Sequence, residues 1–347
     1  MQAVLGCDGR DRRRPVCWSN SSACQPREIC SAVNVFTDPH PVESEGTIGF
    51  SYAGNKFVGS VQLNGTGALY STDLNGGNVQ LFAPAVNLDP NPSGEHYVSS
   101  SLGLGGFPNL DVYVASANGV VHITNDGSSS NSFVSGLSGD VRGITFDSVG
   151  TFGNNMLITT TTGNVYQANS AGGVSLLASV DEDTEGLDVA PLGNGFGGLD
   201  GRLVVASEGS GLLRAISPSG TVTPFATVSS AEELNFVPLN LGASGSPVEG
   251  FYGANYTQNV IKADASQFNG MQGDIIVTGE TTGQVSRVHW NGVTSVFEVT
   301  NVGQFPNQPE DGLFVTTDII NSPEPSSLAL AGFGFIGLAA WGWRRRR

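Results

Sequence analysis

Cysteine is absent from this chain after residue 30. The four present, Cys7, Cys17, Cys24 and Cys30, follow a C-x9-C-x6-C-x5-C spacing. No close pair of the C-x2-C kind occurs, which argues against a structural zinc site. Two disulfides are open to them in an exported chain, with three connectivities. Everything beyond must fold without cross-links. Charge is also scarce: 13% of residues are Asp, Glu, Lys or Arg, about half the usual ~25%. Basic residues are the rarest. Between Glu45 and Asn321, Lys56, Arg142, Arg202, Arg214, Lys262 and Arg287 face 25 acidic residues, a net charge of −19. Such a field repels phosphate backbones and speaks against nucleic acid as a partner. It suits an extracellular domain, or one that meets divalent cations.

Catalytic signatures are missing as well. His40, His96, His122 and His289 form neither H-x-x-x-H nor H-E-x-x-H, and there is no G-x-S-x-G. The run Gly193 to Gly198 reads as a turn between strands; it opens no helix, so it is a poor phosphate cradle. Asp181 to Gly186 resembles the first half of an EF-hand loop, but its twelfth position is Leu192 where a bidentate Glu is needed.

Residues 1–45 contain no apolar run of signal-peptide length. This segment is expected to be irregular. If the protein is exported, either the true start lies elsewhere or these residues are not native mature sequence.

What is abundant is glycine, at 48 of 347 residues, with 39% apolar residues. That mixture favours many short strands joined by tight turns around a sizeable core.

The C-terminus carries the clearest pattern. Pro323, Glu324 and Pro325 precede an apolar run over 328–343 that includes Leu328, Ala331, Phe335, Leu338, Trp341 and Trp343. Arg344, Arg345, Arg346 and Arg347 end the chain. A helix from Ser326 would be roughly 27 Å long, enough for a thin or average bilayer core. The tryptophans suit the headgroup region, and the arginines place the end on the cytoplasmic side. The arrangement resembles the PEP-CTERM sorting signal: Pro-Glu-Pro, hydrophobic span and basic cluster, in that order. The resemblance implies export from a Gram-negative bacterium that makes extracellular polysaccharide, with processing by an exosortase near Pro323-Glu324-Pro325. The single transmembrane helix is then a temporary anchor in the membrane, and the mature protein is a surface or extracellular one. Extracellular polysaccharide and other envelope proteins are the partners this implies.

A second pattern fills the middle. A turn, one or two apolar residues and a large polar residue recur at Tyr70, His122, Gln167, Arg214, Lys262 and Arg287, in steps of 52, 45, 47, 48 and 25. The first four steps fit a propeller blade, ~40–50 residues. An apolar strand precedes most copies, an outer strand follows, and a short strand links one unit to the next. Four strands per unit is the propeller blade. The expected fold is all-β: a β-propeller over 46–320 with six blades, or five plus an inserted hairpin spanning Phe251 to Gln272, and then the tail, 321–347. Leu313 to Val315 is expected to close the ring by joining the blade of Phe57 to Tyr70. The layout resembles six-bladed propellers of the NHL and gluconolactonase-like kind, and more distantly the sorbosone dehydrogenase propellers.

Acidic residues gather at the starts of the inferred channel strands: Glu185, Glu232, Glu233, Glu310 and Asp311. Glu249 precedes another apolar patch. Clustered carboxylates suit Ca²⁺, which takes six to eight oxygen ligands. Glu185, Glu233 and Glu310 are the candidate metal set, with Asn235 and Asp188 as further ligands. Gluconolactonase-like enzymes hold a divalent metal in such a place, and Glu185-Gly186-Leu187 partly matches their Glu-Gly-Pro. The leading expectation is a binding module without catalysis of its own. The alternative is a divalent-metal-dependent sugar lactone hydrolase or a related sugar-processing enzyme.

Overall fold

The computed structural model describes residues 34–39, 46–61, 68–88, 95–256 and 259–320. These residues form six antiparallel sheets of four strands each, one per blade. The second strands are mostly apolar and fully buried, as in Met156–Thr160 and Leu203–Ala206, because sheets pack on both of their faces. The outermost strands are mostly exposed, as in Val174–Ser179. The apolar core is divided into six clusters.

The six inner strands are Thr47–Tyr52, Val98–Ser100, Val141–Phe146, Leu187–Val189, Ala231–Phe236 and Pro309–Val315. Each touches the next, and the last touches the first, so they ring a central channel. The fit is tight where glycine stands. A Cβ on Gly186 would lie 2.5 Å from the Leu234 amide nitrogen, and one on Gly143 would lie 2.6 Å from the Glu185 carbonyl oxygen. No side chain fits at such distances, so both positions need glycine.

All six recurring polar residues fall on the third strands of their blades. The short step of 25 between Lys262 and Arg287 has a topological cause. Blade 5 begins with Ala231–Phe236, which pairs with Ile275–Gly279. Between those two strands the chain leaves to build a hairpin, Gly250–Asn255 and Asn259–Asp264, which forms the two middle strands of blade 6. The third strand of blade 6 therefore precedes the third strand of blade 5 in sequence.

Ring closure differs from the expectation. Pro309–Val315 does not join the Phe57 to Tyr70 blade; it pairs with Gly250–Asn255, placing Phe314 opposite Phe251. The outer strand of that blade is Asn34–Thr37, which pairs with Asn259–Asp264. Both ends of the propeller thus meet in blade 6. Four residues of the segment expected to be irregular are therefore a strand. Its Phe36 supplies the reason: the ring packs edge-on against Phe57 at 5.1 Å and Tyr252 at 4.8 Å. The rest of 1–33 and all of 321–347, including the transmembrane helix expected at 328–343, lie outside the described residues. Among the described residues no helix is long and apolar enough to cross a membrane.

Candidate functional site

Parallel inner strands carry their first residues to one mouth of the channel. Arg142, Glu185, Glu232 and Glu310 stand there, near the starts of four successive strands of the ring. The turns after the second strands of blades 4 and 5 add Glu208 and Glu280. One carboxylate oxygen from each of Glu185, Glu208 and Glu232 falls within 4.8 Å of the others. Arg142 is the counter-charge. Its guanidinium pairs with Glu95 and Glu185, and reaches Asp183 at 3.2 Å.

Most of this charge is out of water. Glu185, Glu232 and Glu310 are 3%, 2% and 4% exposed. Burial, reinforced by the Glu185 charge, pushes Glu232 well above the carboxylate range. Burial and the same charge push Glu310 up to about 9. A shared hydrogen bond with Glu208, then burial, raises Glu280 to about 7. Burial alone would lower Arg142, but the charges of Glu185, Asp183 and Glu232 carry it above its ordinary value. Among the described residues the Oε2 atom of Glu232 has no hydrogen-bond donor, which is costly for a buried polar atom.

The other mouth opens into a cavity of about 550 Å³. Asp188, Glu233, Asn235 and Asp311 line it, with Leu102, Leu104, Leu239 and Ile319 among its apolar residues. Asp188 accepts the Val189 amide at 2.7 Å and the Phe236 amide of the next inner strand at 2.8 Å. Asp311 repeats this with Gly312 and Phe50, both at 2.8 Å. Glu233 Oε1 accepts from Asn235 Nδ2 at 3.1 Å. Burial raises Asp188 to about 6 and Asp311 to about 7, against these amide bonds. Burial and the charges of Asp311 and Asp188 raise Glu233 as well. Tyr97 spans the two compartments. It lines the cavity, and its hydroxyl donates to Glu185 Oε2 at 3.0 Å.

The candidate metal set therefore divides. Glu185 and Glu310 belong to the acidic mouth, while Glu233 lines the cavity with Asn235 and Asp188. Neighbours on a strand point to opposite faces, so Glu232 takes the place at the mouth. Glu249 belongs to neither group. It accepts from the Thr317 amide at 3.0 Å and the Ser244 hydroxyl at 2.7 Å, tying down the chain exit. The reading missed Glu208 and Glu280. Each directly follows the apolar second strand or its last residue, after Ser207 and Gly279, and that shared position was the available signal.

The short helix Thr317–Ile320 lies beside the cavity, not the acidic mouth: Asp318 and Ile319 line the cavity, and Asp318 accepts from Asn240 at 2.7 Å. The C-terminal tail leaves from there. Residues 323–347 match the PEP-CTERM protein-sorting motif. The PEP-CTERM motif implies export, membrane anchoring through the C-terminus and processing by an exosortase. No curated protein matches the chain. Among solved structures, it is similar to a chain of a nidogen/laminin complex at 12% identity and TM-score 0.50, over 78% of this chain and 84% of that one. A streptogramin B lyase is similar at 12% identity and TM-score 0.46, over 81% and 90% of the two chains. Virginiamycin B lyase from Staphylococcus aureus gives 12% and 0.44, over 75% and 85%. At such identity the nidogen/laminin likeness supports the propeller fold and nothing about activity.

Proposed function

We propose that this protein is an exported propeller binding module, delivered to the cell envelope by its PEP-CTERM tail, which holds a small ligand in its central channel. The cavity carries this reading. At about 550 Å³ it has the size of a ligand pocket, and it combines an apolar rim with a few convergent polar groups. Exosortase processing near Pro323-Glu324-Pro325 frees the propeller from its anchor. Extracellular polysaccharide or other envelope proteins are its surroundings there. The test is mass spectrometry of the protein recovered from the medium of an exosortase-bearing host. The expected protein lacks Arg344 to Arg347 and, under native conditions, carries a small adduct. Ser99→Trp, which fills the channel, is expected to lose the adduct and keep the cleavage. An uncleaved tail would sink the sorting reading; an adduct that survives Ser99→Trp would sink the channel.

A second reading concerns the acidic mouth, where a divalent cation fits the unpaired Glu232 Oε2 beside Glu185 and Glu208. A metal-dependent sugar lactone hydrolase would need such an ion first. Calcium at a hundred times its dissociation constant adds about 2.7 kcal/mol. For a domain of this size that raises the melting temperature by roughly 5–10 °C over the EDTA-treated protein. Glu232→Gln is expected to melt without regard to calcium. Equal melting of the parent protein with calcium and with EDTA would remove the calcium site.

A further inference from the structure

We infer that the channel cavity is a receptor for a small organic cation: an ammonium or guanidinium head on an apolar stem. This names the ligand class for the channel-binding reading and rests on it. Charge is the first ground. Asp188, Glu233 and Asp311 converge in the cavity, Asp318 stands on its lining, and no Lys, Arg or His lines it among the described residues. The contrast with the opposite mouth is direct. There Arg142 supplies a guanidinium to the carboxylates; the cavity has no such group of its own, and its cation must come from outside.

The second ground is an unused acceptor. Glu233 is 9% exposed, and the one hydrogen bond of its side chain among the described residues is from Asn235 to Oε1. Its Oε2 is left without a donor in a wall of the cavity. A carboxylate oxygen that faces a cavity with no donor is an open acceptor, and a charged donor is its strongest complement. Asp188 and Asp311 already accept two amides each, so they add charge around Glu233 more than vacant acceptors.

Shape is the third. Leu104 and Leu239 line the cavity yet are 41% and 52% exposed. A bare metal ion would meet the carboxylates but leave these leucines wet and most of the volume unfilled. A neutral polyol would leave both the charge and the leucines unmatched. An anion is repelled. An amphiphilic cation covers the leucines with its stem and places its head on Glu233.

Calorimetry with hexylammonium, 1-hexanol and hexanoate on the full chain tests this. Hexylammonium is expected to bind at pH 7.5, 1-hexanol at least about tenfold more weakly, and hexanoate not at all. Glu233→Gln should weaken hexylammonium by about tenfold and leave 1-hexanol unchanged. Asp188→Asn, which keeps an acceptor for the Phe236 amide, is a second variant with an effect in the same direction. Hexanol binding as tight as hexylammonium, and lost in Ser99→Trp, would overturn the cation while leaving the channel as the ligand site. Hexylammonium binding that survives Ser99→Trp, or no binding of any probe, would overturn the cation proposal; the adduct carried by the secreted protein then judges the channel separately.

Discussion

Phe57→Ala is expected to cost about 3–5 kcal/mol of unfolding free energy, the usual range for a buried phenylalanine. The ring is wholly buried, stacks on Phe50 at 5.1 Å and lies 4.7 Å from Tyr252. Phe36 and Tyr52 meet it edge-on at 5.1 and 5.4 Å. Aromatic pairs of this kind add about 0.5–1.5 kcal/mol each beyond area burial. The position is special because of what it joins. Phe50, Tyr52 and Phe57 come from blade 1, while Phe36 and Tyr252 come from the outermost and second strands of blade 6. Among the described residues no backbone ladder joins those two blades, so the aromatic seam, with the Phe50 amide bonded to Asp311, does the holding. Urea denaturation measures the loss, with Leu176→Ala as a control. Leu176 is 57% exposed on an outer strand, and its truncation should stay within about 0.5 kcal/mol. A loss at Phe57 no larger than at Leu176 would show that the seam does not hold the ring closed.

The same seam shows where sequence reasoning stopped. Blade number was legible because the third strand of each blade carries a recurring residue: Tyr70, His122, Gln167 and Arg214 stand at near-constant spacing, and spacing is a property of the chain. Closure was not legible. Whether Leu313 to Val315 joins the blade of Phe57 to Tyr70 or pairs with Gly250–Asn255 is decided by packing between residues far apart in sequence. The three letters of Phe36 to its neighbours carry no mark of it. The shortened step at Lys262 did signal an insertion, but a periodic pattern has no way to say that the inserted hairpin belongs to the following sheet. The site divided along similar lines. Glu185 and Glu310 were found because acids recur at strand starts. The choice between Glu232 and Glu233 turned on strand phase, and a one-residue slip exchanges the two faces. Tyr97 reaches Glu185 from another blade, and only the folded ring brings it there.

Arg142→Met should be the most damaging change at the acidic mouth, about 3–5 kcal/mol at neutral pH, because it strips a buried carboxylate cluster of its counter-charge. The Arg142 side chain is 12% exposed and its partner Glu185 is 3% exposed, so water screens little of the loss. Stability should depend on pH, and its sign follows from the buried carboxyls of the mouth and the cavity. Glu310, Glu280 and Asp311 are raised to about 9, 7 and 7, and Asp188 to about 6. Glu232 is raised with them. Such groups bind more protons folded than unfolded, so their contribution is fully present below the ordinary carboxylate range and is lost as pH climbs through the folded values. Glu182 and Glu249 are shifted the other way: burial opposes them, but hydrogen bonds from Ser210 and Arg214, and from Ser244 and Thr317, win. Their contribution is present above the ordinary range and is lost only on acidification, so it does not oppose the trend between pH 5 and 9. In EDTA the parent protein should therefore melt higher at pH 5 than at pH 8. Arg142→Met should widen that gap, since Glu280 and Glu310 lose the guanidinium charge that holds them down. Calcium should narrow it in the parent protein by taking the place of the proton at Glu232. A melting temperature that rises from pH 5 to pH 8 would mean that these carboxylates are not held as buried, proton-sharing groups, and the cation reading of the mouth would go with them.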